Sequence, residues 1–504
     1  MNKIKYSAIV VASLVALSGC GSESKSSTGS NSKPPTPPAP EPTPPPTPTI
    51  YNWQLVNLRS ETPNASNSKC AVYGADTINT ANLIYAYRAT QNVVVSIHNS
   101  IGKLVKELKP NTQGVVSINY DDIPTNGYVT VLEYEGLISG KQEIYSYSVE
   151  KPFINNMVFN LRKLGVYSCY STGEALPSSV TPDTNAGTTV IAPASKYVQS
   201  SYIDKRVSGA VATFPNKIPV QAPVPAGEKI LLTQFDSYNS SIALDLDNYA
   251  FVDGSFVHNQ STHPDSKTVI LSDADLVKPG LTFTDLNLNG GNEVEVSYNG
   301  HLYQWQPIYQ SSTNFSYVDS NGPFSGWAMK LNGNTVNGAW SYKAVLPVNT
   351  TAKNVTPQTL TNFSASVTSS SCSGAFCVES QGYTASNYNV QRIHVRSNTS
   401  DGSNYYQTII SMPRSPQVLM ESSISALSPS SSDRIEIGLG SLSETSAAMT
   451  QNFMSNFIDV QHLVSGSAVN NFDVNGPVIQ PASERSRYIS LMGKTSITIS
   501  NSVN

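Results

Sequence analysis

Residues 281–309, LTFTDLNLNGGNEVEVSYNGHLYQWQPIY, decide the fold class. Apolar and polar residues alternate here in three short runs, separated by Asn289-Gly290-Gly291 and Asn299-Gly300. A period of two turns one face of a strand to a core and the other to water. Asn-Gly supplies residues that accept positive φ, which a tight turn between antiparallel strands requires. The stretch therefore predicts three strands joined by two hairpin turns. Asn332-Gly333 and Asn337-Gly338 repeat the signal downstream.

The same reading extends to both sides. Between 83 and 150 the alternation predicts strands at 93–97, 104–108, 115–120 and 127–134, with turns at 99–103, 110–114 and 124–127. After 360 it predicts strands at 390–396, 405–412, 434–439 and 495–500. One helix is expected near the C-terminus: Ser441 and Glu444 make a capping-box pattern, and Met449, Phe453, Phe457 and Val460 follow at helical spacing. The fold class is thus all-β, with a single helix late in the chain.

Residues 93–120, VVVSIHNSIGKLVKELKPNTQGVVSINY, carry a strand–turn rhythm that resembles the Ig-like and carboxypeptidase-regulatory-like sandwiches of bacterial surface proteins. The resemblance covers about 70 residues and implies a β-sandwich; fold alone implies no activity. About 455 residues follow residue 49, too many for one core and natural for several domains. A Pro/Thr/Ser/Gly-rich stretch at 171–195 and a polar gap at 349–359 are the expected seams. The expected organisation is tandem β-sandwich domains at 50–180, 196–348 and 360–504.

The N-terminus reads as a targeting segment rather than fold. Lys3 and Lys5 precede an apolar run at 8–17, too short to span a bilayer, where about 20 residues are needed. The run stops at Leu17-Ser18-Gly19-Cys20. That tetrapeptide resembles the lipobox of bacterial lipoproteins at all four positions. The resemblance implies a signal peptide at 1–19, cleavage before Cys20, and acyl chains on the Cys20 thiol and amine. Two or three chains anchor firmly where one does not, at about 0.8 kcal/mol per buried CH₂. A plain signal peptide with a chance cysteine is the simpler alternative. Gly21 stands where inner-membrane lipoproteins carry a retaining aspartate, so the resemblance implies the outer membrane, on its cell-surface or periplasmic face. Residues 20–49 form the anchor and linker: Ser/Gly-rich to 32, then PPTPPAPEPTPPPTP at 34–48. In polyproline II this stalk spans roughly 45 Å.

Composition agrees with export. Charged residues are 13% of the chain against a usual quarter, and the formal net charge is −4. No basic stripe suited to nucleic acid occurs. The cysteines beyond Cys20 are Cys70, Cys169, Cys372 and Cys377, an even set that predicts two disulfides. Cys70–Cys169 with Cys372–Cys377 is the most economical of the three pairings. A metal site is the rival, but no histidine is close to the cysteines in sequence.

Candidate chemistry is sparse, and no cofactor is expected. Asp285-x-Asn287-x-Asn289-Gly290 has the first half of a calcium loop, but Val296 replaces the twelfth-position glutamate. The plainer reading is a strand whose Leu286 and Leu288 point inward. Asp253, His258, His263 and Asp265 suit zinc only if a loop gathers them, and a solvated loop explains them as well. His301, Tyr303 and Trp305 share one face of an expected strand and could stack on sugar rings; core packing is the plainer reading. G-x-S-x-G, H-E-x-x-H and the P-loop pattern are all absent. The leading expectation is a non-enzymatic, lipid-anchored envelope protein for adhesion, structure or assembly, held to a membrane through Cys20 with envelope proteins or glycans as partners. A carbohydrate-binding surface module is the alternative, and a secreted hydrolase with an unrecognised site the third.

Overall fold

The computed structural model describes residues 48–503 apart from 77, 80, 139–140, 163–167, 173–185, 192–196, 202–211, 214–217, 221–228, 236–244, 254–267, 272–274, 320–322, 373, 423, 431–432 and 459–474. The chain divides into Met1–Thr47 and Pro48–Asn504, and the described residues all belong to the second unit. Cys20, the expected signal peptide at 1–19 and the proline stretch up to 47 lie outside them.

The fold is all-β, and thirteen strands form one sheet. From edge to edge it runs His301–Ile308, Asn292–Tyr298, Phe324–Thr335, Ser341–Pro347, Ser496–Val503 and Arg434–Leu442. It continues through Val390–Asn398, Asn404–Ser411, Lys141–Glu150, Tyr128–Ile138 and Val93–His98 to Leu104–Leu108. Leu286–Leu288 completes it, paired to Phe324–Thr335. Neighbours are antiparallel except at one place, where Asn404–Ser411 runs parallel to Lys141–Glu150. The three stretches expected as separate domains all contribute strands to this sheet. The expected seams are occupied too: Ala186–Ile191 pairs with Ile218–Val220 and Thr268–Ile270. Lys353–Val355 runs beside Leu281–Phe283. Composition marked these stretches as polar, but backbone pairing makes no demand on polarity.

A second, six-stranded sheet is organised by Ile50–Glu61. On one side this strand pairs first with Val115–Asn119 and then with Leu83–Arg88; on the other it runs parallel to Met157–Asn160. Val115–Asn119 thus leaves the sheet of its sequence neighbours, as sandwich strands do. Trp53, Leu55, Val116, Ile118 and Phe159 from this sheet meet Val95, Ile97, Val129, Val131, Val149 and Ile410 from the larger one. Burying each such side chain contributes roughly 1.5–3 kcal/mol.

The middle of the large sheet is covered on both faces. Ile409 joins a core with Trp305, Trp340 and Ile437, whereas adjacent Ile410 joins the sandwich core. That is why 407–411 and 390–395 carry apolar residues on both faces of the strand. The helix expected near the C-terminus is present as Ala447–Ser455. Met449 and Phe453 are fully buried and Phe457 is nearly so. Its start differs from the capping-box reading: Ser441 lies in strand Arg434–Leu442, and Ser446 is the N-cap. Glu444 instead accepts from Ser446 Oγ at 2.6 Å and Lys494 Nζ at 2.7 Å. Gly440 seats the helix, since a Cβ there would fall 2.8 Å from Phe453 Cδ2 and 2.5 Å from Val390 Cγ1. A second helix, Pro481–Leu491, went unforeseen. Proline in its first turn was the available signal.

One of the two turns in 281–309 is a hairpin. Asn299 and Gly300 take φ of 50° and 77° and join Asn292–Tyr298 to His301–Ile308. Asn289-Gly290-Gly291 is not. Leu286–Leu288 and Asn292–Tyr298 both pair with Phe324–Thr335, one after the other. Leu288 faces Gly333 and Glu293 faces Lys330, so five steps on one strand match three on the other. The extra residues bulge, and Asn292 repairs the ladder: its Oδ1 accepts from Asn332 N and its Nδ2 donates to Asn289 O. Gly333 lies inside a strand, while the turn follows at Asn337-Gly338-Ala339.

Both disulfides form in the economical pairing, Cys70–Cys169 across 99 residues and Cys372–Cys377 across 5. Chain entropy gives the long loop about 4–5 kcal/mol and the short one about 2. Denaturant titration of Cys70→Ser/Cys169→Ser should therefore show about twice the loss seen for Cys372→Ser/Cys377→Ser. Equal losses would contradict the loop-length account.

Candidate functional site

A cavity of about 420 Å³, walled largely by polar groups, opens on the six-stranded sheet. Its construction starts with the alternation Asn52-Trp53-Gln54-Leu55. Trp53 and Leu55 are fully buried, which turns Asn52 and Gln54 outward. The Trp53 indole donates to Asn155 O at 2.9 Å and so fixes the turn before Met157–Asn160. Asn156 is then clamped from two sides: its Oδ1 accepts from Asn52 N at 2.8 Å, and its carbonyl accepts from Gln451 Nε2 at 3.0 Å. Gln451 comes from the helix Ala447–Ser455, about 300 residues away in sequence. Tyr170 is held like an added strand, donating its N–H to Ala86 O at 3.0 Å and accepting from Ala71 N at 2.7 Å. Tyr73, Tyr170, Val158 and Val478 pack together at the floor. Gln480 and Thr172 complete the polar wall.

The chemistry of that wall is uniform. Five side-chain amides, two phenols and one aliphatic hydroxyl line it beside apolar carbons, with no carboxylate, imidazole, thiol, ammonium or guanidinium. Each amide both donates and accepts, as a sugar hydroxyl does. A tyrosine offers an apolar face with a polar tip. The volume lies within the usual range for small-ligand sites.

A second cavity, of about 360 Å³, lies against the large sheet beneath the helix Ala447–Ser455. Cross-strand register places Asn332, Lys343 and Thr498 in one row and Lys330, Val345 and Ser496 in the next, all on one face. Asn452 and Asn456 enter from the helix, and Asn456 Nδ2 donates to Thr498 Oγ1 at 3.1 Å.

The aromatic row His301, Tyr303 and Trp305 is not an exposed sugar platform. Trp305 is 0% and Tyr303 1% exposed. The Trp305 indole donates to Ser316 Oγ at 3.1 Å, and its ring lies 4.9 Å from Tyr249 and 4.8 Å from Trp327. Tyr303 donates to Lys229 O at 3.0 Å. Strands Lys229–Phe235 and Leu246–Asp253 cover this face, which no local pattern could announce. His301 remains partly exposed beside them. Asp285 stands exposed before Leu286–Leu288, and Leu286 is buried as the strand reading expected. His258, His263 and Asp265 lie outside the described residues. Among the described residues no three His, Cys, Asp or Glu side chains gather as a metal-binding group. The sequence reading singled out none of the cavity residues; the alternation Asn52-Trp53-Gln54-Leu55 was the available signal.

No protein-family model matches this chain, and no curated protein matches its sequence.

One buried histidine links the early strands to the late ones. His98 Nε2 donates to Glu421 O at 3.0 Å, and Nδ1 faces Thr130 Oγ1 at 3.1 Å. The carbonyl can only accept, so the neutral ring carries its proton on Nε2. Burial pushes the His98 pKa below its usual 6.5, partly opposed by the Glu421 carbonyl. A base depressed in the folded state loses stability as pH falls below the unfolded value, because the unfolded chain then binds the extra proton. Stability should therefore drop below about pH 6.5, by at most about 1.4 kcal/mol per pH unit from this group. Urea titrations between pH 7.5 and 5.5 check it: His98→Gln should flatten the slope, and an unchanged slope would assign the effect elsewhere.

Proposed function

We propose that this chain is a lipid-anchored bacterial envelope protein that acts by binding, and that its principal ligand is a neutral glycan. The cavity between Asn52, Gln54, Asn156, Tyr170, Gln451 and Gln480 carries the second half of this reading. Amides at its rim match vicinal hydroxyls, the tyrosines match the C–H face of a pyranose, and the missing charge disfavours acidic or basic ligands. The first half rests on Leu17-Ser18-Gly19-Cys20 and the proline stalk, with Gly21 favouring the outer membrane. Among the described residues no helix is long and apolar enough to cross a membrane. Cysteine-borne lipid supplies attachment without one. This combines the adhesive and the carbohydrate-binding expectations, with the sugar site moved from Trp305 to the amide-lined cavity.

A neutral ligand makes a specific demand: its affinity should be nearly independent of salt, because no ion pair is screened. Purified Cys20→Ala chain on an array of neutral oligosaccharides should retain one or more of them equally at low and high salt. Gln480→Ala and Thr172→Ala, at the rim, should each weaken binding by about five- to tenfold while leaving thermal stability unchanged. Retention of acidic glycans alone, or variants that bind like the parent, would sink the reading.

The anchor is tested separately by growth with labelled palmitate. The parent chain should take up label and Cys20→Ala should not. Undiminished labelling of the variant would refute lipid attachment at Cys20.

A further inference from the structure

We propose that the cavity beneath the helix Ala447–Ser455 binds a phosphoryl or similar oxyanion group through Lys330 and Lys343. Lys330 lies on Phe324–Thr335 and Lys343 on Ser341–Pro347, diagonal neighbours on one sheet face. Like charges set this close on a sheet repel and destabilise it unless something neutralises them. Among the described residues neither ammonium forms an ion pair or hydrogen bond, and no carboxylate lines the cavity. Glu293 stands across from Lys330 in the register without coming within ion-pair distance of it.

The remaining wall supplies what an oxyanion needs besides charge. Thr498 and Ser496 bring hydroxyls, and Asn452 and Asn332 bring amide N–H groups. Hydrogen bonds of this kind to an anion are shorter and stronger than those between neutral groups. Both lysine stems are exposed along part of their length, so an anion can reach them from solvent. Lys343 is held below the usual lysine range, first by the protein around its ammonium and second by the charge of Lys330. A bound anion would relieve both effects. The competing account is that the lysines offset the negative end of the helix that stops at Asn456, since cations are favoured there. That account predicts a stability role with no anion dependence.

The site is independent of the neutral cavity and of the anchor, so its test can fail alone. Calorimetric titration of the purified Cys20→Ala chain with inorganic phosphate at constant ionic strength should show saturable binding. Lys343→Gln should weaken it by about tenfold or more, and Lys330→Gln/Lys343→Gln should abolish it. Lys343→Arg should retain most of it, and thermal melts in chloride should show all variants folded. Vesicles then identify the source of the group. Sedimentation with phosphatidylglycerol but not phosphatidylcholine, lost in the double variant, assigns a lipid headgroup; phosphate binding without sedimentation assigns a soluble ligand. Absent phosphate binding, or equal binding by parent and double variant, would overturn the proposal.

Discussion

The parallel pairing of Asn404–Ser411 with Lys141–Glu150 is the contact on which the rest of the molecule depends. It joins strands from the first third of the chain to strands from the last third. Every other neighbouring pair in the thirteen-stranded sheet is antiparallel. The junction is locked by Glu150, which is fully buried. Its carboxylate accepts from Met412 N at 2.6 Å and from the Arg414 guanidinium. Arg414 and Gln417 both donate to the Tyr128 hydroxyl at 3.1 Å. Burial first, and the Glu150 charge second, push the Tyr128 phenol up to about 12, so it stays neutral and keeps its place in the network. A buried carboxylate is costly unless it is paired and hydrogen-bonded, and here each oxygen has a donor.

Two consequences follow for the sites. Because the sheet is continuous, the helix Ala447–Ser455 can lie on one of its faces while touching the six-stranded sheet. Gln451 then reaches Asn156 in one cavity, while Asn452 and Asn456 face Lys330 and Lys343 in the other. One short helix supplies polar groups to both cavities. Gly438 and Gly440 make that placement possible, because any side chain at either would occupy the space of Phe457 or Phe453. The two cavities differ in charge, and that difference separates the ligand classes proposed for them. Amides and phenols reward hydroxyls, while two unpaired ammonium groups reward an anion.

The burial of Trp305 shows how a correct strand can carry a misplaced site. Alternation placed His301, Tyr303 and Trp305 on a strand, and a strand is there. Whether its ring-bearing face meets water depends on Lys229–Phe235, some 70 residues upstream, and nothing in the strand encodes that cover. Asn289-Gly290-Gly291 teaches the same lesson about turns. Asn-Gly permits a hairpin, but the partner strand chose a bulge, because Phe324–Thr335 is long enough to pair with both flanking segments in succession.

The sequence by itself determined what is local: the positions of most strands of the thirteen-stranded sheet, the Asn299-Gly300 hairpin, the apolar stripe of the late helix, and a cysteine set that pairs economically. Side-chain periodicity and turn chemistry act over a few residues, so they are written where they act. Only the tertiary structure decided which strands are neighbours, which faces are covered, and which polar residues converge. Backbone hydrogen bonds between strands are nearly blind to side-chain identity, and a parallel junction such as that at Glu150 has no tight turn to announce it. The amide-lined cavity gathers residues from 52 to 480 for this reason, and no stretch of the chain shows it alone.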